Sequence, residues 1–467
     1  MATLLAASID DATIQDFASQ LRGRLLRPGD EGYDAARTLH NAMIDRNPGL
    51  IVRATGTADV ISAVNFARTH DLTISVRGGG HGVAGHAVCD GGLMVDLSLL
   101  NSVRVDPEAR IARAGGGCVW GDVDHETQAF GLAVTGGQVS HTGIGGLTLG
   151  GGIGNLARKF GLSIDNLLSA DIVTADGRLL TVSATSHPDL FWAIRGGGGN
   201  FGIVTSFEYR LHPVGPIVAG GMLAWPVEQA PQVLRAWREF MATAPEEVEV
   251  GAAFITAPPL PFVPPHLVGK QLIALMPCYA GPLEEGLQTL GALRTFAEPA
   301  IDLLGPIPYV ALQQMVDDAT AFGMLNYWKS GFVSRFDDAA IETLLEHTTR
   351  VTSPLSIVLL LPLGGAIQRV PAGATAFGHR EAVLDMVIFA VWTDPTENDR
   401  HITWTRTFFD AMQPYLQGVY VNGMDADETD RVKAAYDPAV YDRLVAVKNA
   451  YDPANLFHHN ANIKPTV

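Results

Sequence analysis

A chain of 467 residues exceeds what a single hydrophobic core holds, so two or three domains are expected; 47% hydrophobic against 17% charged residues is the balance of a compact globular protein. A formal charge of −17 with no Lys/Arg run repels phosphate backbones and anionic bilayers, which argues against nucleic acid and membrane partners and for a small neutral or cationic one. No apolar stretch reaches the ~20 residues that span a bilayer, and Met1 to Ser8 carries no basic segment ahead of Ile9-Asp10-Asp11, so a cytoplasmic monomer or homodimer is expected.

In chain order, Ile9 to Leu21 reads as an opening helix with Asp10 and Asp11 at its start. Leu50 to Arg53 reads as a strand, Thr57 to His70 as a helix capped by Thr57, and Thr73 to Arg77 as a second strand, together a βαβ unit. Leu93 to Leu97 and Arg110 to Ala114 are further strands, and Trp120 to Phe130 a helix. Between Gly115 and Gly154 glycine is so dense that no periodicity survives. Ala170 to Val182 reads as a hairpin about Ala175-Asp176-Gly177, Pro188 to Arg195 as a helix and Phe201 to Leu211 as a strand. Pro213, Gly215 and Pro216 mark a boundary. Beyond it, helices at Val227 to Ala244 and Ala339 to Val351 alternate with strands at Glu247 to Ile255, Leu272 to Met276, Tyr327 to Arg335, Ser356 to Leu361, Val383 to Trp392 and Val419 to Asn422; Tyr441 to Phe457 is helical. Cys89, Cys118 and Cys278 are odd in number and lack ligand spacing, so they read as buried free thiols.

The strongest local signal is Arg77-Gly78-Gly79-Gly80-His81-Gly82 directly after a strand. Successive glycines let backbone N–H groups face outward as a nest for a diphosphate. Glycine content alone fits a tight turn equally well, and a lone His is ordinarily a satisfied side chain. A second cluster, from Gly136-Gly137 through Gly143, Gly145-Gly146, Gly150-Gly151-Gly152 and Gly154, and a third at Gly196 to Gly199 and Gly202, supply the repeated close approaches a dinucleotide needs.

These motifs resemble the vanillyl-alcohol-oxidase-like, berberine-bridge-enzyme-like FAD-linked oxidases over nearly the whole chain. Arg77 to His81 is similar to the family's flavin-attachment loop, and Gly143-Ile144-Gly145-Gly146-Leu147-Thr148-Leu149-Gly150-Gly151-Gly152-Ile153-Gly154 to its second flavin loop. Asp189 to Val204 resembles a family signature, and Asp452-Pro453 to Ile463 the segment that returns to the flavin. The resemblance implies an α+β, two-domain fold: a PCMH-type FAD-binding domain in residues 1–213, a substrate-binding domain in 214–423 whose antiparallel sheet covers the flavin, and a C-terminal segment 424–467 returning to the first domain. It implies FAD bound covalently through His81. Many members add a cysteinyl link four residues before the position of Gly143; here that residue is Val139, so His81 is the sole expected anchor. The implied cofactor contacts are Arg77, Gly78, Gly79, Gly80, His81 and Gly82, then Gly137, Thr142, Gly145, Gly146, Gly150, Gly151, Gly152 and Gly154, then Gly202, Ile203 and Val204, and finally Asn460 and Asn462. An oxidase passing a hydride from a CH–OH or CH–NH group to the flavin, with O2 giving H2O2, is the implied activity. A dehydrogenase slow with oxygen, given Thr142 where relatives carry an apolar residue, and a flavin-binding protein without turnover are the alternatives.

For substrate activation, Tyr327 and Lys329 share one face of a strand, and Tyr420 and Asn422 do the same in theirs. A Tyr beside an ammonium can serve as a base if phenolate is favoured; sheet packing explains the same residues. After His379-Arg380, where plant relatives place a polar or acidic residue, the sequence offers Ile388, with Asp385 and Met386 near it. Gly152 to Ala157 fits GxGxxA with Asp171 downstream, but the preceding stretch is not a buried strand, so a nicotinamide site is the weaker reading. Asp425 to Asp430 lacks the Gly and distal Glu of a calcium loop, and His458-His459 has no partner at metal spacing, so no metal is expected.

Overall fold

Short aliphatic strands separated by turn residues build a small parallel sheet first. In the computed structural model, which describes residues 9–467 apart from the side chains of 429 and 430, strands Leu50–Arg53, Leu93–Asp96 and Ile74–Arg77 pair in parallel in that order. Arg24–Leu26 adds an antiparallel edge. Parallel strands are covered on both faces, which is why these read as continuous apolar runs. Helix Thr57–Thr69 packs Val60, Ala63, Val64 and Ala67 onto Leu50, Val52, Leu93 and Val95. Its N-cap is Gly56, not Thr57; the Asp59 carboxylate turns back to accept the N–H groups of Thr55, Arg22 and Gly23. The reading of Met1 to Ser8 lies outside the described residues.

Five antiparallel strands follow in the order Val103–Asp106, Ile111–Gly115, Ile203–Arg210, Leu167–Val173, Leu179–Ser183. Leu167–Val173 is antiparallel to both neighbours, so the GxGxxA stretch does not open a βαβ unit, and Asp171 is held instead by Arg113 and Thr181. Between them the glycine-dense segment contains the expected helix, Trp120–Gln128, and a second short one, Ile144–Gly150, which periodicity did not reveal.

A ten-stranded sheet of antiparallel pairs dominates the remainder. Its long strands lie in the order Gln271–Tyr279, Val248–Thr256, Ile357–Pro362, Leu384–Trp392, Leu325–Val333. Helices Ala230–Thr243, Asp338–Thr348 and Asn398–Met412 cover one face, burying Trp237, Ile341 and Phe408 against Val250, Leu275, Leu360 and Ile388. Fully burying such a side chain stabilises by about 1.5–3 kcal/mol, so this layer holds the sheet. The other face, which looks toward the glycine loops, keeps Trp328, Leu359 and Phe389 only half-buried. Helices Leu283–Leu290 and Asn398–Met412 were not expected from sequence.

The expected strand at Val419 to Asn422 is absent. Gly418 turns the chain at φ +60°, Val421–Gly423 forms a 3-10 turn, and the ladder position on Leu325–Val333 goes to Leu416–Gln417. All three cysteines are free and buried, with burial pushing Cys118 and Cys278 up to about 12.

Candidate functional site

Ligands of sheets built from parallel strands gather at the strands' carboxyl ends. There the chain leaves Ile74–Arg77 through Gly78, Gly79 and Gly80 and delivers His81. Arg77 Nη1 donates to Ala36 O at 2.6 Å, and the Gly80 carbonyl accepts the His40 N–H. A Cβ on Gly79 would lie 2.3 Å from Gly143 N, and one on Gly143 would lie 2.3 Å from Gly79 N. First and second glycine loops therefore meet backbone to backbone, in a contact that admits no side chain.

His81 stacks on His40 with ring centroids 4.2 Å apart and shares a 2.6 Å hydrogen bond, Nε2 to Nδ1, with His141. Phe322 stands edge-on to it at 5.5 Å. Burial, reinforced by His40 and His141, holds the His81 pKa well below its ordinary value, so the imidazole is neutral. His141 belongs to the turn Val139 to Thr142, closed by Thr142 N–H donating to Val139 O; the Thr142 carbonyl accepts from Trp120 N–H. Asp317 grips the same turn through Ser140 N and Oγ.

Helix Ile144–Gly150 carries Gly145 on its buried side and Gly146 on its exposed side. Gly152, at φ +88°, donates its N–H to Tyr420 Oη at 2.8 Å; Asn422 Nδ2 donates to Tyr420 Oη and to Leu147 O, and Gly150 lies against the Asn422 side chain. Gly151 backs onto the Phe377 ring, Gly154 onto the Gly136 carbonyl, and Gly137 O accepts from Gln313 Nε2. Gly202 precedes Ile203 and Val204, whose side chains point into apolar cores, so only their backbone can face a ligand. At the third cluster Asn460 Nδ2 donates to Gly199 O, and Asn200 pairs with Ala461 O and Ile463 N. Buried Lys448 fixes that return, its Nζ donating to Asn200 O, Phe457 O and Asp452 Oδ2.

The residues suit a long polar ligand. Positions 82, 146 and 199 open to space, with no atom within 4 Å of where a Cβ would stand. On the first loop and the returning tail, Arg77 Nε, His86 Nδ1, Asn460 Oδ1 and Asn462 Oδ1 are buried without a hydrogen-bond partner among the described residues. Such atoms cost free energy unless a ligand or water meets them.

A profile described as "FAD binding domain" matches residues 48–183, and one described as "Berberine and berberine like" matches 419–464. A FAD-linked oxidoreductase of Dictyostelium discoideum is 31% identical over 455 residues, 97% of each chain. The (R)-6-hydroxynicotine oxidase of Paenarthrobacter nicotinovorans is 32% identical, covering 95% of this chain and 97% of its own. The chain belongs to the berberine-bridge-enzyme-like FAD-linked oxidoreductases. Its fold agrees: the crystal structure of 6-hydroxy-D-nicotine oxidase from Arthrobacter nicotinovorans superposes with a TM-score of 0.86 at 28% identity, covering 96% and 98% of the two chains. A chitooligosaccharide oxidase, at 24% identity, shares the fold with a TM-score of 0.84.

In this FAD-linked oxidoreductase Tyr327 and Lys329 lie on the helix-facing side of their strand, away from the glycine loops. Tyr327 Oη donates to Asp427 and accepts from Arg406, and Lys329 Nζ pairs with Asp427 at 2.6 Å and Glu428 at 3.4 Å. Burial, then the hydrogen bond to Asp427, pushes the phenol pKa up. Lys329 is spent on carboxylates, so the expected phenolate has no physical basis. Asp427 falls to about 2: burial opposes, but hydrogen bonds from Lys329, Tyr327 and Arg406 outweigh it. Asp425, by accepting the Trp328 N–H, closes part of the sheet edge. Tyr420 does reach the glycine loop, but burial raises its pKa and its oxygen is already committed to Gly152 and Asn422.

Sequence reasoning named Asp385 only in passing. It sits on the loop-facing side of Leu384–Trp392, opposite Phe332 and Leu361, 2% exposed, with Oδ1 unpartnered among the described residues. Burial lifts it to about 7. A single acid at an inward position of an apolar strand was the signal available. His40 and His141, in contrast, carry no local pattern; only the fold brings them to His81.

Proposed function

We propose that the chain is an oxidase that carries FAD covalently on His81, takes a hydride from a C–H bond beside an alcohol or amine of a small substrate, and returns the electrons to O2 as H2O2. FAD, when bound, supplies the hydride acceptor. The substrate loses that hydride and one O–H or N–H proton, becoming a carbonyl or imine. The observation that carries the reading is the neutral, enclosed imidazole of His81 in a glycine loop: a deprotonated nitrogen is the form able to bond to carbon. Val139 offers no second linkage.

The protein's part is binding, exclusion of water and proton handling. Glycine N–H groups of the first two loops would hold the diphosphate, and Asn460 and Asn462 would hydrogen-bond the cofactor through their free oxygens. Asp385, the unpartnered carboxyl on the sheet face, would accept the substrate proton. Residues 1–213 and 424–467 would form the flavin half and 214–423 the cover. The decisive experiment is acid precipitation of the purified protein. Yellow colour should stay in the pellet, move to the supernatant in His81→Ala, and turnover in air should release peroxide; colour lost wholly from the wild type refutes the covalent bond.

A further inference from the structure

The sheet face that looks onto the glycine loops is apolar where it is reachable. Trp328, Phe389 and Ile357 form one row across three adjacent strands, and Val387 and Leu359 continue into the next. Trp328 and Phe389 meet edge to face, centroids 4.7 Å apart at 81°. This wall lies beside the anchor: Trp328 is 6.3 Å from the His40 ring, which stacks on His81, and Phe322, 43% exposed, stands edge-on to His40 and His81.

Polar groups on this part of the face are occupied or sealed. Asn326 donates to Met324 O and accepts from Trp328 Nε1. Ser330 is fully buried and covered by Gly423. A carbohydrate brings several hydroxyls, each costing about 1–3 kcal/mol if desolvated without a partner; Asp385 can meet one, and the wall of Trp328, Phe389, Ile357, Val387 and Leu359 offers none for the rest. Flat rings gain instead from edge and offset contacts with Trp328 and Phe389.

We infer that the substrate is a flat, largely apolar aromatic alcohol or amine, not a carbohydrate, and that Trp328, Phe389 and Leu359 set this preference. The inference rests on the proposal that this face covers the flavin. It is tested by anaerobic titration of the holoenzyme with 1-phenylethanol, N-methylbenzylamine, glucose and cellobiose, following the flavin spectrum. At least one aromatic probe bleaches or shifts the flavin, and neither sugar does so at the same concentration. Trp328→Ala raises the Kd or KM for that probe about tenfold, the weight of one aromatic contact and its buried area, at unchanged flavin content. Bleaching by glucose or cellobiose, or a dithionite-reducible flavin that no aromatic probe touches, overturns the substrate class and leaves FAD binding standing. Protein purified without any flavin removes the underlying reading and the inference together.

Discussion

In the proposed reaction His81 and Asp385 would divide the chemistry between two buried titratable groups held in opposite ways. His81 is kept neutral by burial and two neighbouring imidazoles; Asp385 is kept near neutrality by burial alone. A proton acceptor must be ionised, so kcat/KM is expected to rise with pH through about 7 and level off above it. Asp385→Asn should lower kcat by about 10²-fold or more, with flavin retained, and remove that limb of the profile; an unchanged pH profile in the variant excludes Asp385 from the proton transfer. At this scale the sequence was informative where a residue stood inside a dense motif, as His81 does. It was silent on His40, which the fold brings to His81 and holds there through its N–H on the Gly80 carbonyl and its ring on Thr320 O.

Among the elements, the contact of the glycine loops and the edge of the large sheet are the exacting ones. Gly143→Ala places a methyl group 2.3 Å from Gly79 N, so the loops must part and the purified protein should lose most of its flavin, measured by the ratio of visible to ultraviolet absorbance. At the sheet edge, Lys329→Met should lower the melting temperature, because it leaves Asp427 and Glu428 without that ammonium, yet change kcat less than about twofold. A hundredfold loss of kcat would instead return Lys329 to the chemistry. The strands flanking these features were legible because period-2 and short apolar runs survive in Val248–Thr256, Leu325–Val333 and Leu384–Trp392. Alternation alone does not say which face looks toward the glycine loops; Tyr327 and Lys329, expected on that side, lie on the helix-facing one. Ile144–Gly150 was illegible for another reason: three of its seven residues are glycine, and tertiary contacts override so poor a propensity. Val419 to Asn422 looks like a strand by composition, but its polar atoms bond to the glycine helix rather than to a ladder.

Across the whole molecule, buried carboxyls set the response to pH. Asp124 and Asp385 are raised to about 7 and Glu249 to about 8, each chiefly by burial. Their folded values exceed the unfolded ones, so between about pH 4 and 7 the folded state holds protons that the unfolded chain has released. For these groups stability is therefore fully present below the unfolded pKa and declines as pH rises, by ~1.4 kcal/mol per pH unit per group. Buried histidines, His86 and His212 among them at about 4, act in the opposite sense below about pH 6.5, so the decline should appear in melts taken between about pH 6.5 and 8, flattened in Glu249→Gln. Lys448→Met leaves Asp452 charged and enclosed, and should cost about 3–5 kcal/mol in denaturant unfolding.

The return of the tail also dictates an order of events during biosynthesis. Asn200 waits for Ala461 and Ile463, and the Gly152 N–H for Tyr420, so the first 200 residues emerge from the ribosome with polar groups that stay hydrated until much later residues arrive to pair with them. Such long-range closure is slow. Enclosure of the cofactor must follow translation of nearly all the described residues, and a nascent chain stalled before position 450 would present an open, half-built cradle to the cell's chaperones.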